Sequence, residues 1–349
     1  MIFSSKKLIG LDIGSSSIKL ADLTVGKNGI VLNNFAFIQT PPQAMNNGEI
    51  TDSLMIAEAI KTAYKENAFK QKKACVGLSG TAVIVKKISL PKVEKKDLKE
   101  QVEYEAAQYL PFDISQVTLD FHQLSFSQNS QNTDLLVVAA QDEFILNYLE
   151  AVTRSGLKCA ILDVSSLALA NTFELNYGKT TEPVALFNFG SNITNFLVLL
   201  QGEVIFSRDI PVGGFHFTNE ISKNMGLTFE EAEALKISQG IKQEVPEDTR
   251  TFMNIAMDHV TEEIRNSIDF YTATANGLTI NRAYYTGGAS QTIGLIDHLV
   301  EMIKLPFEAF NPYLQIKAGH KKFNSHYLQQ IAPFIAVSSG LALRQLGEK

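Results

Sequence analysis

Two short segments of this 349-residue chain carry the residues best suited to holding a polyanion. "KLIGLDIGSSSIKL" breaks an apolar run at Gly14, Ser15, Ser16 and Ser17, then resumes with a second run that contains Lys19. "VALFNFGSNITNFLVLL" repeats the arrangement with Gly190, Ser191 and Asn192. With Gly14 set on Gly190, Ile13 meets Phe189, Ser15 meets Ser191, and Asp12 meets Asn188. Glycine tolerates positive φ and close backbone approach, so a strand–Gly–Ser–strand turn can present backbone N–H groups flanked by hydroxyls. Phosphate oxygens are the natural acceptors, and two such turns facing one another could grip a polyphosphate from both sides. Asp12, at the end of its strand, could hold Mg2+ through water, and Lys19 could reach phosphate as a point charge.

Three further segments bear on the same chemistry. "PVGGFHFTNEI" places Gly213 and Gly214 before a helix, whose N-terminus favours anions. "AEALK" puts Glu233 and Lys236 three apart on one helical face, within reach of ribose hydroxyls. "YYTGGAS" is a strand followed by Gly287, Gly288, Ala289 and Ser290, a turn that lets backbone approach a base or its ribose. The chain contains no G-x-x-x-x-G-K-[ST], so a P-loop, in which one loop surrounds the phosphate, is not available.

The elements that must position these residues follow from periodicity. Residues 7–40 read as a three-stranded meander through the turn "GKNG", then a helix capped by Thr51 or Asp52, then strands "KACVGLS" and "AVIVKKISL". A charged helix stopping at Pro111, strand "VTLDFHQLSF", polar loop 127–133, strand "DLLVVAA" and helix "DEFILNYLEAVTRSG" make an α-β-β-α insert over about 90–155. The second half opens with another meander, through "QGE", and continues helically. Thr228 and Glu231 have capping-box spacing, and Val260, Ile264, Ile268 and Tyr271 form one stripe. The pattern predicts two degenerate α/β copies with a cleft between their glycine turns. The first core comprises 1–89, 156–180 and 330–349, the insert 90–155, the second core 181–224 and 278–329, and a helical subdomain 225–277.

Composition narrows the function classes. Hydrophobic residues are 45% and charged residues 19%, with mean hydropathy +0.01, an ordinary core-forming balance. A net charge of −6 gives no global basic surface for nucleic acid. Cys75 and Cys159 sit in strand-like apolar settings without metal or redox spacing and read as core thiols. No secretion signal and no apolar run of about 20 residues is present, so a cytoplasmic location is expected.

Taken in order, "LDIGSSSIKL", "LFNFGSNITNF", "AEALK" and "YYTGGAS" resemble phosphate 1, phosphate 2, the ribose-contacting element and the adenosine motif of the actin-like ATPase superfamily. The insert is placed as in FtsA, while "QVEYEAAQYLPFDI" and the ending "SSGLALRQL" are similar to the PilM family of type IV pilus assembly proteins. The resemblance implies an actin-like (ribonuclease H-like) duplicated α/β fold around a nucleotide cleft, with an FtsA/PilM-type inserted subdomain. It implies ATP or ADP with Mg2+ near Asp12. Phosphates would be held by Gly14, Ser15, Ser16, Ser17 and Lys19 on one side, and by Gly190, Ser191 and Asn192 on the other. Glu233 and Lys236 would serve the ribose, and Gly287, Gly288 and Ala289 the nucleoside. It also implies docking of the cytoplasmic N-terminal peptide of a PilN-type inner-membrane protein in a groove beside the insert. Membrane association would then be indirect, other pilus assembly proteins would be further partners, and oligomerisation would be compatible.

Asn188 departs from the D-x-G that usually opens the second turn in that superfamily. An amide keeps an acceptor oxygen but lacks the basicity to orient water for in-line attack, so ATP binding with very slow hydrolysis is expected. Gln141, ending a strand of the insert, is a poor substitute. Asn188→Asp is therefore expected to raise hydrolysis. Two alternatives remain at this point. A small-molecule kinase of the same superfamily would need a carboxylate base that the second turn lacks. An FtsA-like filament protein would be expected to carry a membrane-binding amphipathic tail, whereas this chain stops at "RQLGEK".

Overall fold

The structure is a computed structural model that describes residues 7–27, 29–94, 96–125, 131–240, 246–320 and 323–346. Asn28 of the expected "GKNG" turn, residues 127–130 of the expected polar loop and the last three residues lie outside that set.

The first half runs through β1 (Ile9–Ile13), β2 (Ser17–Gly26), β3 (Gly29–Gln39), the small pair β4 (Met45–Asn46) and β5 (Glu49–Ile50), α1 (Ser53–Glu66) and β6 (Lys73–Leu78). There follow β7 (Val83–Pro91), α2 (Leu98–Ala106), β8 (Val117–Gln123), β9 (Asn132–Gln141), α3 (Asp142–Arg154), β10 (Lys158–Val164) and α4 (Ser165–Tyr177). The second half comprises β11 (Val184–Phe189), β12 (Thr194–Leu200), β13 (Glu203–Ile210), α5 (Gly214–Met225), α6 (Phe229–Gly240) and α7 (Glu247–Thr274). It closes with β14 (Ala283–Thr286), α8 (Leu295–Ile303), β15 (Phe307–Ala309), β16 (Ile316–Ala318) and α9 (Ser325–Leu343).

Two large mixed sheets carry the duplication, in the orders β10-β6-β1-β2-β3-β16 and β13-β12-β11-β14-β15. In each, an antiparallel meander is joined at its first strand to a parallel partner, β6 for β1 and β14 for β11. The registers coincide under the glycine alignment. Asp12 pairs with Lys19 and Ile13 with Ile18, while Asn188 pairs with Asn195 and Phe189 with Thr194. Every residue of β12 is buried, the near-continuous apolar run of a strand covered on both faces. Helices supply that cover. Phe187, Phe196 and Phe217 pack with Val260 and Ile264 of α7, while α1 and α3 pack on the first sheet through Ile56, Ile60, Phe144 and Tyr148.

Local signals form as their chemistry requires. Asp52 caps α1, accepting from the N–H groups of Leu54 and Met55 at 3.0 Å each. The capping box of α6 closes in both directions: Thr228 N donates to Glu231 at 2.9 Å, and Glu231 N donates to Thr228 Oγ1 at 3.2 Å.

Non-local pairing departs from the one-dimensional reading in three places. The strand "AVIVKKISL", assigned to the first half, is β7, and it leaves the first sheet to form a separate sheet with β9 and β8. Helix α3, assigned to the insert, buries Tyr148 in the first core, where its hydroxyl donates to Gly48 O at 2.7 Å. Strand β16, assigned with the second core, pairs in parallel with β3 of the first sheet. All three are settled by burial of apolar faces across long sequence separations, which local periodicity does not encode.

Candidate functional site

The two glycine turns have the same internal geometry. Gly14 N donates to Ser17 O at 3.1 Å, and Gly190 N donates to Ile193 O at 3.0 Å. A Cβ on Gly190 would lie 2.6 Å from Ile193 O, so the second turn closes only around glycine. Each turn is anchored by the element that follows its meander. Thr40, just past β3, donates its hydroxyl to Gly14 O at 2.5 Å and its N–H to Ser16 O at 3.0 Å.

Between the turns lies a cleft of about 1240 Å³. Asp12, Gly14, Ser15, Ser16, Ser17 and Lys19 line it on one side, and Asn188, Gly190, Ser191 and Asn192 on the other. Gly214, Glu233, Lys236, Gly287, Gly288 and Ala289 complete the wall. Segments far apart in sequence thus converge on one space.

Two expected site residues stand behind that wall. Ser290 is buried, and its hydroxyl donates to Gly287 O at 2.7 Å. Gly213 is held against the second turn, where a Cβ would lie 2.4 Å from Gly190 O and 2.6 Å from Ser191 O. The N-terminus of α5 was expected to favour an anion, but its N–H groups serve the turn itself. Gly214 N donates to Gly190 O at 2.9 Å, and Phe215 N donates to Ser191 O at 2.8 Å. Gly213 therefore acts by permitting close approach, and α5 stiffens the second turn.

Glu233 and Lys236 form a 2.6 Å ion pair on α6. Lys236 Nζ also donates to Thr218 Oγ1 at 2.9 Å and to Gly214 O at 3.1 Å, and the Thr218 hydroxyl donates to Glu233. Burial holds the Lys236 ammonium below the ordinary lysine range, against the opposing pull of Glu233. The cluster thus joins α6 to the start of α5, and through it to the second turn. Sequence reasoning missed the apolar rim of the cleft, Phe229, Ile237 and Phe334. Phe334 lies on α9, where a Cβ on Gly288 would approach it to 2.8 Å. Pro333 beside it turns its carbonyl to accept from Gly287 N at 2.9 Å.

The floors of the two turns differ in charge. On the first, Lys19 Nζ lies 3.2 Å from Asp12 Oδ2. On the second, Asn188 Nδ2 donates to Asn195 Oδ1 at 2.9 Å, and Asn195 Nδ2 donates to Asp209 Oδ1 at 2.7 Å. Asn195 and Asp209 were also missed. The glycine alignment that sets Lys19 on Asn195 would have found the first, but the second needs the β12–β13 register. Burial pushes the Asp209 carboxyl up to about 6, although the Asn195 hydrogen bond opposes the shift. As pH rises from about 4 to above 6, the unfolded chain loses this proton before the folded one, so folding stability falls. Wild type should lose up to about 3 kcal/mol relative to Asp209→Asn across that window. Urea midpoints of both proteins at acid and neutral pH check this, and a pH-independent difference would refute it.

Two α/β halves of matching topology, each opened by a glycine hairpin facing a shared cleft, define the actin-like fold class. The sequence profile of the type IV pilus assembly protein PilM matches residues 10–346, and the chain belongs to that family. A solved PilM–PilN type IV pilus biogenesis complex has a TM-score of 0.88 to it at 29% identity, covering 98% of this chain and 99% of that one. The ethanolamine utilization protein EutJ from Carboxydothermus hydrogenoformans shares the fold, with a TM-score of 0.55 at 14% identity over 96% of this chain and 89% of that one. The cell division protein FtsA of Bacillus subtilis (strain 168) is 27% identical over 257 residues, 66% of this chain and 58% of that protein. The chain thus spans little more than half the length of the curated relatives it matches. Among the described residues, no helix is long and apolar enough to cross a membrane.

Proposed function

We propose that this protein binds ATP with Mg2+ in the cleft, hydrolyses it very slowly, and serves as a scaffold in type IV pilus assembly. Its partner is the cytoplasmic N-terminal peptide of a PilN-type inner-membrane protein, which would hold it at the membrane indirectly. The observation that carries the nucleotide reading is the pair of matched turns on opposite sides of one cleft. Each places polar residues on it, and the Glu233–Lys236 cluster and the Gly287–Gly288 turn complete it. Family membership and the likeness to the PilM–PilN complex support the partner.

The donor set suits magnesium. Among the described residues, no group of three His, Cys, Asp or Glu side chains could cage a metal ion. Mg2+ rarely needs one, since it keeps several waters and binds through one or two carboxylates plus substrate phosphates. Asp12 would hold it, with Lys19 passing from Asp12 to phosphate. When bound, the ion would neutralise phosphate charge. Ser15–Ser17 and Ser191–Asn192 would orient the phosphates from opposite sides. Asn188 would accept a hydrogen bond from water but, unlike a carboxylate, would not take its proton.

The test is calorimetric titration of ATP into wild type and Lys236→Met, which removes the ammonium linking α6 to Gly214. Binding by wild type and an affinity loss of about tenfold in the variant are expected. A wild type that takes up no nucleotide at millimolar concentration would overturn the nucleotide reading. The scaffold reading is tested separately, by binding of a synthetic PilN-type N-terminal peptide to the same protein. No binding in any nucleotide state would count against it.

A further inference from the structure

The three side chains Asn188, Asn195 and Asp209 stand in register on β11, β12 and β13 and form one hydrogen-bonded ladder. Its direction has a physical cause. An ionised carboxylate only accepts, so Asp209 claims the Nδ2 of Asn195 at 2.7 Å. Asn195 can then offer Asn188 only its Oδ1, which accepts from Asn188 Nδ2 at 2.9 Å. Asn188, a residue of the cleft lining, is left with Oδ1 as the terminal group of the ladder. That oxygen sits close against Gly287, where a Cβ would come within 2.7 Å of it. Amides read alike in either orientation, and in this ladder the carboxylate supplies the asymmetry that selects one.

The first half has no such device. The position in β3 that corresponds to Asp209 is Phe37, which pairs with Lys19. There the acceptor is the Asp12 carboxylate itself, balanced by Lys19.

We propose that Asp209 is a positioning residue for the cleft: by fixing both amides, it makes the second turn present a carbonyl oxygen rather than an NH2 group to hydrated Mg2+. This rests on the nucleotide reading above. Metal-bound water is a hydrogen-bond donor, so a carbonyl meets it and an NH2 group opposes it. The arrangement supplies an acceptor without a second negative charge near the phosphates.

The experiment measures ATP affinity with Mg2+ and with EDTA in wild type, Asp209→Asn and Asp209→Lys, with melting temperature as a fold control. Asparagine lets the ladder run either way, so Mg2+-dependent affinity should fall by about two- to threefold. Lysine only donates, which turns both amides round, and the loss should reach about tenfold. A cavity of about 170 Å³ lined by Asp209 gives the longer side chain room. Affinity in EDTA should stay within about twofold in both variants. Adding Asn188→Asp to either variant restores an acceptor in the cleft and should recover the Mg2+ effect. If Asp209→Lys does not fold, Asp209→Asn with and without Asn188→Asp decides the matter. Variants that keep the wild-type Mg2+ effect, or lose affinity equally in EDTA, would overturn the proposal. Wild type that binds no ATP under either condition would instead remove the nucleotide reading beneath it.

Discussion

Gly340→Ala is expected to destabilise the protein by about 3 kcal/mol or more. Helix α9 lies between α4 and the first sheet, and glycine makes both contacts possible. A Cβ on Gly340 would sit 1.7 Å from Ala168 O of α4, and one on Gly10 of β1 would sit 1.9 Å from Ser338 O of α9. Both obstacles are backbone atoms, so no rotamer change relieves them. The helices would have to separate, also breaking the buried bond from Thr172 Oγ1 to Ala336 O at 2.7 Å. The consequence reaches the cleft, because the same helix carries Pro333, which holds Gly287, and Phe334 beside it. A melting temperature lower by about 4 °C or more, together with weakened nucleotide binding, is the expected result. A change under about 2 °C would show that the α4–α9 contact is far more compliant than its geometry implies.

The sequence alone leads to the expectation that Asn188→Asp raises hydrolysis, but with Asp209 at the far end of the ladder the single substitution is expected to lower stability by about 2 kcal/mol and to leave hydrolysis slow. The substitution would place carboxylates at both ends of an amide that has one NH2 group. Asn195 can satisfy Asp209 or an aspartate at 188, and the other loses its donor in a partly buried site. The double variant Asn188→Asp/Asp209→Asn removes the conflict, since Asn195 turns round and every group finds a partner. The two substitutions should therefore couple by about 1–3 kcal/mol in a double-mutant cycle. The double variant is where phosphate release should rise above background. Four urea titrations and a steady-state phosphate assay measure both quantities. Additive stabilities, or faster hydrolysis in the single variant, would show that Asp209 does not constrain position 188. The change of Asn188 for a carboxylate thus has to be made at two positions to act at one.

The cleft was legible in the sequence to the extent that its parts are local. A Gly-Ser break between two apolar, strand-like runs favours a hairpin, and its recurrence at Gly190 indicated two facing turns. Helix starts at Asp52 and Thr228 were legible for the same reason, because a cap and its partners lie within four residues. The ordered motifs and the "QVEYEAAQYLPFDI" segment were enough to point to the family. The placement of β7, α3 and β16 was not legible, because each has an apolar face that several partners could cover.

By itself, then, the sequence determined the duplicated fold, the cleft with its two turns, and the absence of a carboxylate at Asn188. Each of these depends on side-chain period and backbone conformation over a few residues. Tertiary structure alone decided that Gly213 packs against the second turn rather than facing the cleft. It also brought Phe334 from near the C-terminus to the rim and set Asp209 at the end of the Asn188–Asn195 ladder. These depend on lateral strand register and on how closely two backbones can approach, quantities fixed by packing across the whole molecule.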